Sequence, residues 1–203
     1  MMNKTLGSSL VAATLFGVGL MANKTFADQT IQSTNATVEV NGTLGADNKN
    51  PDSTIPEGDD NWINVTTPTS TIFYNTPTVA TVKSPTYSVV NNSGRPVTVS
   101  ATGFTGDSGN AAPSDFNLTL NTVGTATNAA TTATTNLVKS GVETTPLNSP
   151  LITLANKDGK MTSAGTSNTG DNIATFTYGG SSATATMTKL KYNLELTFKA
   201  VGW

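Results

Sequence analysis

The sequence predicts an all-β protein, an antiparallel β-sandwich or barrel of about nine strands preceded by a cleaved signal peptide. Three observations carry that prediction. The 203 residues include 39 Thr, 21 Asn and 17 Ser, small polar side chains that suit strands and turns better than helix interiors. Apolar residues recur at every second position in one segment after another, the period of a half-buried strand. Between those segments stand short clusters of Gly, Pro, Asn and Asp, which break regular structure and set turns.

Residues 1–27 read as a targeting segment. Lys4 is followed by an uncharged, largely apolar run from Leu6 to Ala22, and Thr25-Phe26-Ala27 puts small residues at the −3 and −1 positions of a cleavage site. Gly7, Gly17 and Gly19 interrupt the run and tell against a membrane anchor. Residues 28–203 then form a single β-domain, with no second stretch apolar enough to span a bilayer, no sorting signal and no hydrophobic tail. The expectation is export, with any surface attachment made non-covalently.

The mature chain begins with alternation at Val38, Val40 and Leu44, a first strand entering a turn at Gly45. Residues 47–61 cannot continue it: Asp47, Asp52, Glu57, Asp59 and Asp60 crowd together with Pro51, Pro56 and Gly58, which makes an acidic loop. Short strands are expected at Trp62–Val65, Ser70–Tyr74 and Thr86–Val90. Asn91-Asn92-Ser93-Gly94 reads as a hairpin turn because Asn and Gly tolerate positive φ, and the return strand carries Val97, Val99, Ala101 and Gly103 on one face.

Phe116, Leu118 and Leu120 mark another half-buried strand, and residues 122–135, nearly all Thr, Ala, Asn and Gly, read as a low-complexity connection. Leu151–Ala155 is a short apolar run before the Asp158-Gly159 turn, and residues 162–172 form a polar loop. Ala174–Tyr178 and Ala183–Met187 flank Gly179-Gly180-Ser181-Ser182 and are expected to form a second hairpin. The last segment is the clearest: Leu190, Tyr192, Leu194, Leu196, Phe198 and Ala200 alternate with polar residues. At about 3.3 Å per residue it would extend roughly 36 Å with one wholly apolar face. Burying that face is worth on the order of 10 kcal/mol, so it must be covered.

Composition also narrows the chemistry. With no His and no Cys, imidazole catalysis, thiol nucleophiles, zinc sites built on those residues and disulfides are all excluded. A Ser-Lys arrangement remains, but Lys83-Ser84 and Lys139-Ser140 are sequence neighbours that point to opposite faces of a strand, so the chain reads as a binding protein and not an enzyme. Net charge is −2 and the 11 basic residues form no run, so nucleic acid is not an expected partner.

Two candidate sites stand out. Asp47, Asp52, Asp59 and Asp60 supply the hard oxygen donors that Ca²⁺ prefers, although their spacing does not fit the Asp-x-Asn/Asp-x-Asn/Asp-Gly loop and a solvated acidic loop is the competing reading. Trp62 and Trp203 are candidate glycan-stacking rings, with a core position for Trp62 and a core cap for Trp203 as the alternatives.

At Asp60-Asn61-Trp62-Ile63-Asn64-Val65, at Tyr87 to Val99 around Asn91-Asn92-Ser93-Gly94-Arg95-Pro96, and at the closing Tyr192 to Val201, the chain resembles WxL-type surface proteins of low-GC Gram-positive bacteria. In that family two Trp-x-Leu motifs lie in a C-terminal β-domain that holds exported proteins non-covalently to peptidoglycan. Here Trp62-Ile63-Asn64 has Asn where the first motif has Leu, and Leu-Thr-Phe stands at 196–198 where the second would fall. The resemblance implies a secreted cell-wall module whose partner is wall glycan or another exported surface protein, with self-association possible. The alternative is a fibre subunit in which Ile31–Leu44 adds as a strand to a neighbouring molecule.

Overall fold

The computed structural model describes residues 47–124, 132–163, 169–183 and 186–203. The expected signal peptide, the first strand at Val38–Leu44 and the donor segment Ile31–Leu44 lie outside the described residues.

One turn of 3-10 helix, Asp60–Trp62, precedes eleven strands: β1 Val65–Thr66, β2 Tyr74–Thr76, β3 Val79–Lys83, β4 Tyr87–Asn91, β5 Val97–Gly106, β6 Asn117–Val123, β7 Thr132–Lys139, β8 Val142–Glu143, β9 Ser149–Leu154, β10 Ile173–Ser181 and β11 Tyr192–Ala200. All pairings are antiparallel, in an eight-stranded sheet ordered β1-β4-β10-β6-β7-β8, with β2 and β3 appended beside β10, and a three-stranded sheet ordered β11-β5-β9. The all-β reading holds, with eleven strands among the described residues. Among the described residues no helix is long and apolar enough to cross a membrane.

The core lies between the two sheets. Alternation supplies Leu118 and Leu120 from β6 and Ala174, Phe176 and Tyr178 from β10, whereas register shifts in β7 and β9 let the adjacent pairs Leu137-Val138 and Leu151-Ile152 both turn inward, with Leu154 following; all are buried. On β5, Val97, Val99 and Ala101 point inward as expected, but Gly103 does not follow them. The register against β11 shifts between Glu195 and Leu196, so Thr102 is an extra residue and Phe104 is the next to be buried. A bulge of this kind changes the phase of the strand without ending it. Gly103 gives room there, since a Cβ would run into the Glu195 carboxylate.

Several local expectations are corrected. Trp62–Val65 is not a strand; Asp59 caps a helical turn that carries Trp62, and pairing starts only at Val65. Ser70–Phe73 is not in a strand, and the β2–β3 hairpin, turning at Pro77-Thr78, follows instead. β3 was invisible to periodicity because Val82 is its only buried residue. Asn91 to Gly94 does not form a hairpin: β4 pairs with β1 and β10, whereas β5 pairs with β11 and β9, so the turn carries the chain from one sheet to the other.

The connection expected at 122–135 is shorter than its composition suggested, because β6 runs to Val123 and β7 begins at Thr132, paired with each other. Thr-rich segments pair readily once a neighbour supplies the ladder. Gly179-Gly180 is not a turn either; β10 runs straight through both, opposite Thr119 and Leu118. Gly180 has φ +125, and a Cβ would collide with the Asn117 carbonyl oxygen, so glycine is required by the close approach of β6. Lastly, the apolar face of β11 is not fully covered. Tyr192, Leu194, Leu196 and Phe198 are half-buried and only Ala200 is buried; among the described residues β11 is an edge strand that pairs with β5 alone.

Candidate functional site

The two tryptophans, 141 positions apart in sequence, meet at one corner of the domain around a residue the sequence reading passed over. The Arg95 guanidinium carbon lies 4.2 Å from the Trp62 ring centroid and 4.5 Å from that of Trp203. Arg95 is only 4% exposed, so its charge needs close partners. Its Nε donates to Glu57 Oε2 at 2.8 Å, Nη2 donates to the other Glu57 oxygen, and Nη1 donates to the Pro51 carbonyl at 2.9 Å. The planar fork suits this arrangement, flat between rings and bidentate along its edge.

The turn before β5 aims that side chain. Asn91, fully buried, donates through Nδ2 to the Arg95 and Ala155 carbonyls at 2.8 Å each and accepts from Ser93 N at 3.0 Å. Ser93 Oγ accepts from Arg95 N at 3.0 Å, and Asn156 Nδ2 donates to the Gly94 carbonyl at 3.2 Å. These side chains do for the turn what a hairpin ladder would otherwise do. Gly94 lies in a tight place: a Cβ would sit 3.0 Å from Pro51 N and 3.1 Å from the Trp62 ring, so those neighbours would have to give by a few tenths of an ångström.

Trp62 is fully buried, with Nε1 donating to the Pro56 carbonyl at 2.9 Å. It has no free ring face for a sugar, and the core alternative describes it. Trp203 is half-buried, anchored by its backbone N to Glu57 Oε2 at 3.3 Å, with Arg95 against one face. The Arg95 hydrogen bonds hold the Glu57 carboxyl below its ordinary value near 4.5, against a smaller opposing effect of desolvation, and the Trp203 N–H adds to the lowering.

The four aspartates of the expected Ca²⁺ site do not converge. Asp47 Oδ1 accepts from Lys49 N at 3.1 Å, Asp59 Oδ1 accepts from Asn61 N at 2.8 Å, Asp52 donates its backbone N to Asn50 Oδ1, and Asp60 is exposed in the helical turn. Among the described residues no three or more acidic side chains are placed to share a metal ion. The Asp, Asn and Pro residues here shape successive tight turns, which is the local use of an Asx side chain.

A second feature has no counterpart in the sequence reading. At the end of the sandwich where β2 and β3 meet the segment 186–191, a cleft of about 900 Å³ opens between the sheets. Its wall is aromatic: Phe73 stacks on Phe116 at 5.7 Å and lies 6.1 Å from Tyr178 and 6.4 Å from Tyr192. Its rim carries polar groups from Ser70, Thr71, Asn75, Thr188 and Lys189 among apolar ones. Tyr178 Oη and Thr71 Oγ1 are 3.0 Å apart, and Tyr87 Oη accepts from Ile72 N at 2.7 Å, which fixes the 70–75 segment over the aromatic wall. Burial pushes the Tyr178 and Tyr192 hydroxyls above the ordinary phenolic range, so both stay neutral donors at physiological pH.

At the mouth, Ile72, Tyr74 and Met187 are 58%, 51% and 85% exposed, a concentration of large apolar groups in solvent. Neither the cleft nor Arg95 announced itself in sequence. Phe73, Phe116, Tyr178 and Tyr192 come from four separate segments, and only sheet packing brings them together. Comparison with protein-family models, with curated proteins and with solved structures finds no match to this chain.

Proposed function

We propose that this protein is an exported, non-catalytic surface module that associates non-covalently with cell-wall glycan, and that the aromatic cleft is where glycan binds. The observation that carries the reading is the cleft: a concavity of about 900 Å³ with an aromatic wall and a rim of hydroxyl, amide and ammonium groups. Sugar rings present apolar C–H faces that stack on aromatic side chains and hydroxyls that exchange hydrogen bonds with such a rim. Tyr74, half-exposed at the mouth, offers the free ring face that Trp62 lacks. The signal-like N-terminus and the WxL resemblance of the three sequence patches support a cell-wall setting.

Contact with purified peptidoglycan tests this directly. Tyr74→Ala and Thr188→Ala change exposed residues at the rim. They are expected to reduce co-sedimentation with wall material several-fold while leaving the unfolding temperature unchanged. Trp203→Ala is expected to leave wall binding near wild type once the variant is folded. Full binding by the Tyr74→Ala variant, or no binding by the wild-type chain, refutes the assignment.

A further inference from the structure

The edges of the two sheets are not treated alike. β1 and β8 are two residues long and β2 is three, too short to template another strand. β9 contains Pro150 and is tied across the sandwich to β7 by the Thr135 and Ser149 hydroxyls, 2.8 Å apart. β11 has none of these protections. It is nine residues long, has no proline, carries no charge on its inner face and, among the described residues, pairs with no strand on the side away from β5. Leu196 and Phe198 stay half-buried along that open flank, as do Tyr192 and Leu194, which also line the cleft.

Side chains directly opposite in an antiparallel pair share a face, so β11 can meet a second β11 symmetrically only in registers centred on a residue. Centring on Glu195 sets that carboxylate against itself. Centring on Leu196 puts Glu195 opposite Thr197 and Lys199 opposite Asn193, which pairs no charges. Centring on Thr197 puts Glu195 opposite Lys199 of the second copy twice over, Leu196 opposite Phe198 twice, Leu194 opposite Ala200 twice, and Thr197 against its own counterpart. Opposite charges, apolar pairs and a Thr–Thr pair are the cross-strand combinations that stabilise a sheet.

We infer that β11 is a homodimerisation edge: two copies join antiparallel about Thr197, making one continuous six-stranded sheet from their three-stranded sheets. The interface is isologous and closes on itself, so it yields a dimer and not a fibre. Centring on Asn193 would also set Lys191 opposite Glu195, but it overlaps only Tyr192–Leu194 of each β11, so charge and strand overlap together select the Thr197 register, in which the half-buried apolar residues gain cover.

Sedimentation of the chain from residue 28 to 203 over a concentration series tests the inference, together with charge reversal. Lys199→Glu or Glu195→Lys alone sets like charges opposite each other twice and is expected to weaken the dimer by roughly tenfold or more. The double variant Glu195→Lys/Lys199→Glu restores the pairing and is expected to recover wild-type association. Thr197→Cys, the only thiol in a chain without cysteine, is expected to form a disulfide-linked dimer under oxidation, whereas Thr105→Cys on β5 is not. A wild-type monomer throughout the series, open-ended ladders in place of a dimer, single reversals without effect, or equal cross-linking from both cysteines overturns the proposal.

Discussion

Removing the Arg95 side chain is the most informative perturbation of stability, because one residue ties together the acidic loop, the inter-sheet turn and the C-terminus. In Arg95→Ala both cation–π contacts are lost, worth about 1 kcal/mol each in a geometry as enclosed as this. The bidentate pair with Glu57 is lost too, but the Glu57 side chain is 44% exposed and rehydrates, so this contact is worth about 1 kcal/mol. The Pro51 carbonyl loses its 2.9 Å donor, at a cost of about 1 kcal/mol. Allowing for non-additivity, the expected loss is about 3 kcal/mol, which for a domain of this size lowers the unfolding temperature by about 10 °C. Differential scanning calorimetry measures it. Arg95→Lys keeps a charge but loses the flat fork, and is expected to show about half the loss. An Arg95→Ala melting temperature within about 2 °C of wild type refutes the view that this corner is held by the guanidinium.

The same corner has a pH signature. Glu57 is depressed in the folded state, so between its lowered value and about 4.5 the unfolded chain binds more protons. Its contribution is present above that range and is lost as pH falls through it. Urea midpoints followed from neutral to acid pH should therefore decline less steeply in Glu57→Gln than in wild type. Separately, Thr122 is buried with its Oγ1 unpartnered, opposite the β10 strand in the small void that Leu120 and Phe176 line. Thr122→Val replaces that hydroxyl with a methyl of similar size and is expected to stabilise by about 1 kcal/mol, read as a higher urea midpoint with unchanged slope.

Alternation told most about strands whose neighbours bury one face. Leu118 and Leu120, and Phe176 and Tyr178, all end in the core, and their spacing alone announced them, whereas Leu151 and Leu154 belong to a short apolar run that reaches the core across a register shift in β9. β3 escaped notice because only Val82 is buried. The two glycine-rich segments depart from expectation for a common reason. Gly94 does lie in a turn, but one packed close on Pro51 and the Trp62 ring, and Gly180 lies inside β10, where a Cβ would collide with the Asn117 carbonyl of β6. A sequence shows that a side chain is missing, not what fills the space. Acidic crowding at 47–61 was plain as well, yet whether the carboxylates converge depends on turn geometry: Asp47 and Asp59 each turn to a separate backbone donor and Glu57 to Arg95.

The sequence by itself determined the class of the fold, the identity of its best strands and the chemistry it lacks, since each follows from residue type and local period. Partners distant along the chain were left to the tertiary structure. Arg95 between two tryptophans, the four-segment aromatic cleft and the open edge of β11 all come from the strand order β1-β4-β10-β6-β7-β8 over β11-β5-β9. Period two says which side of a strand is apolar. It carries no information on which strand lies alongside or which edge is left open, because those depend on long-range packing among faces that look alike in sequence.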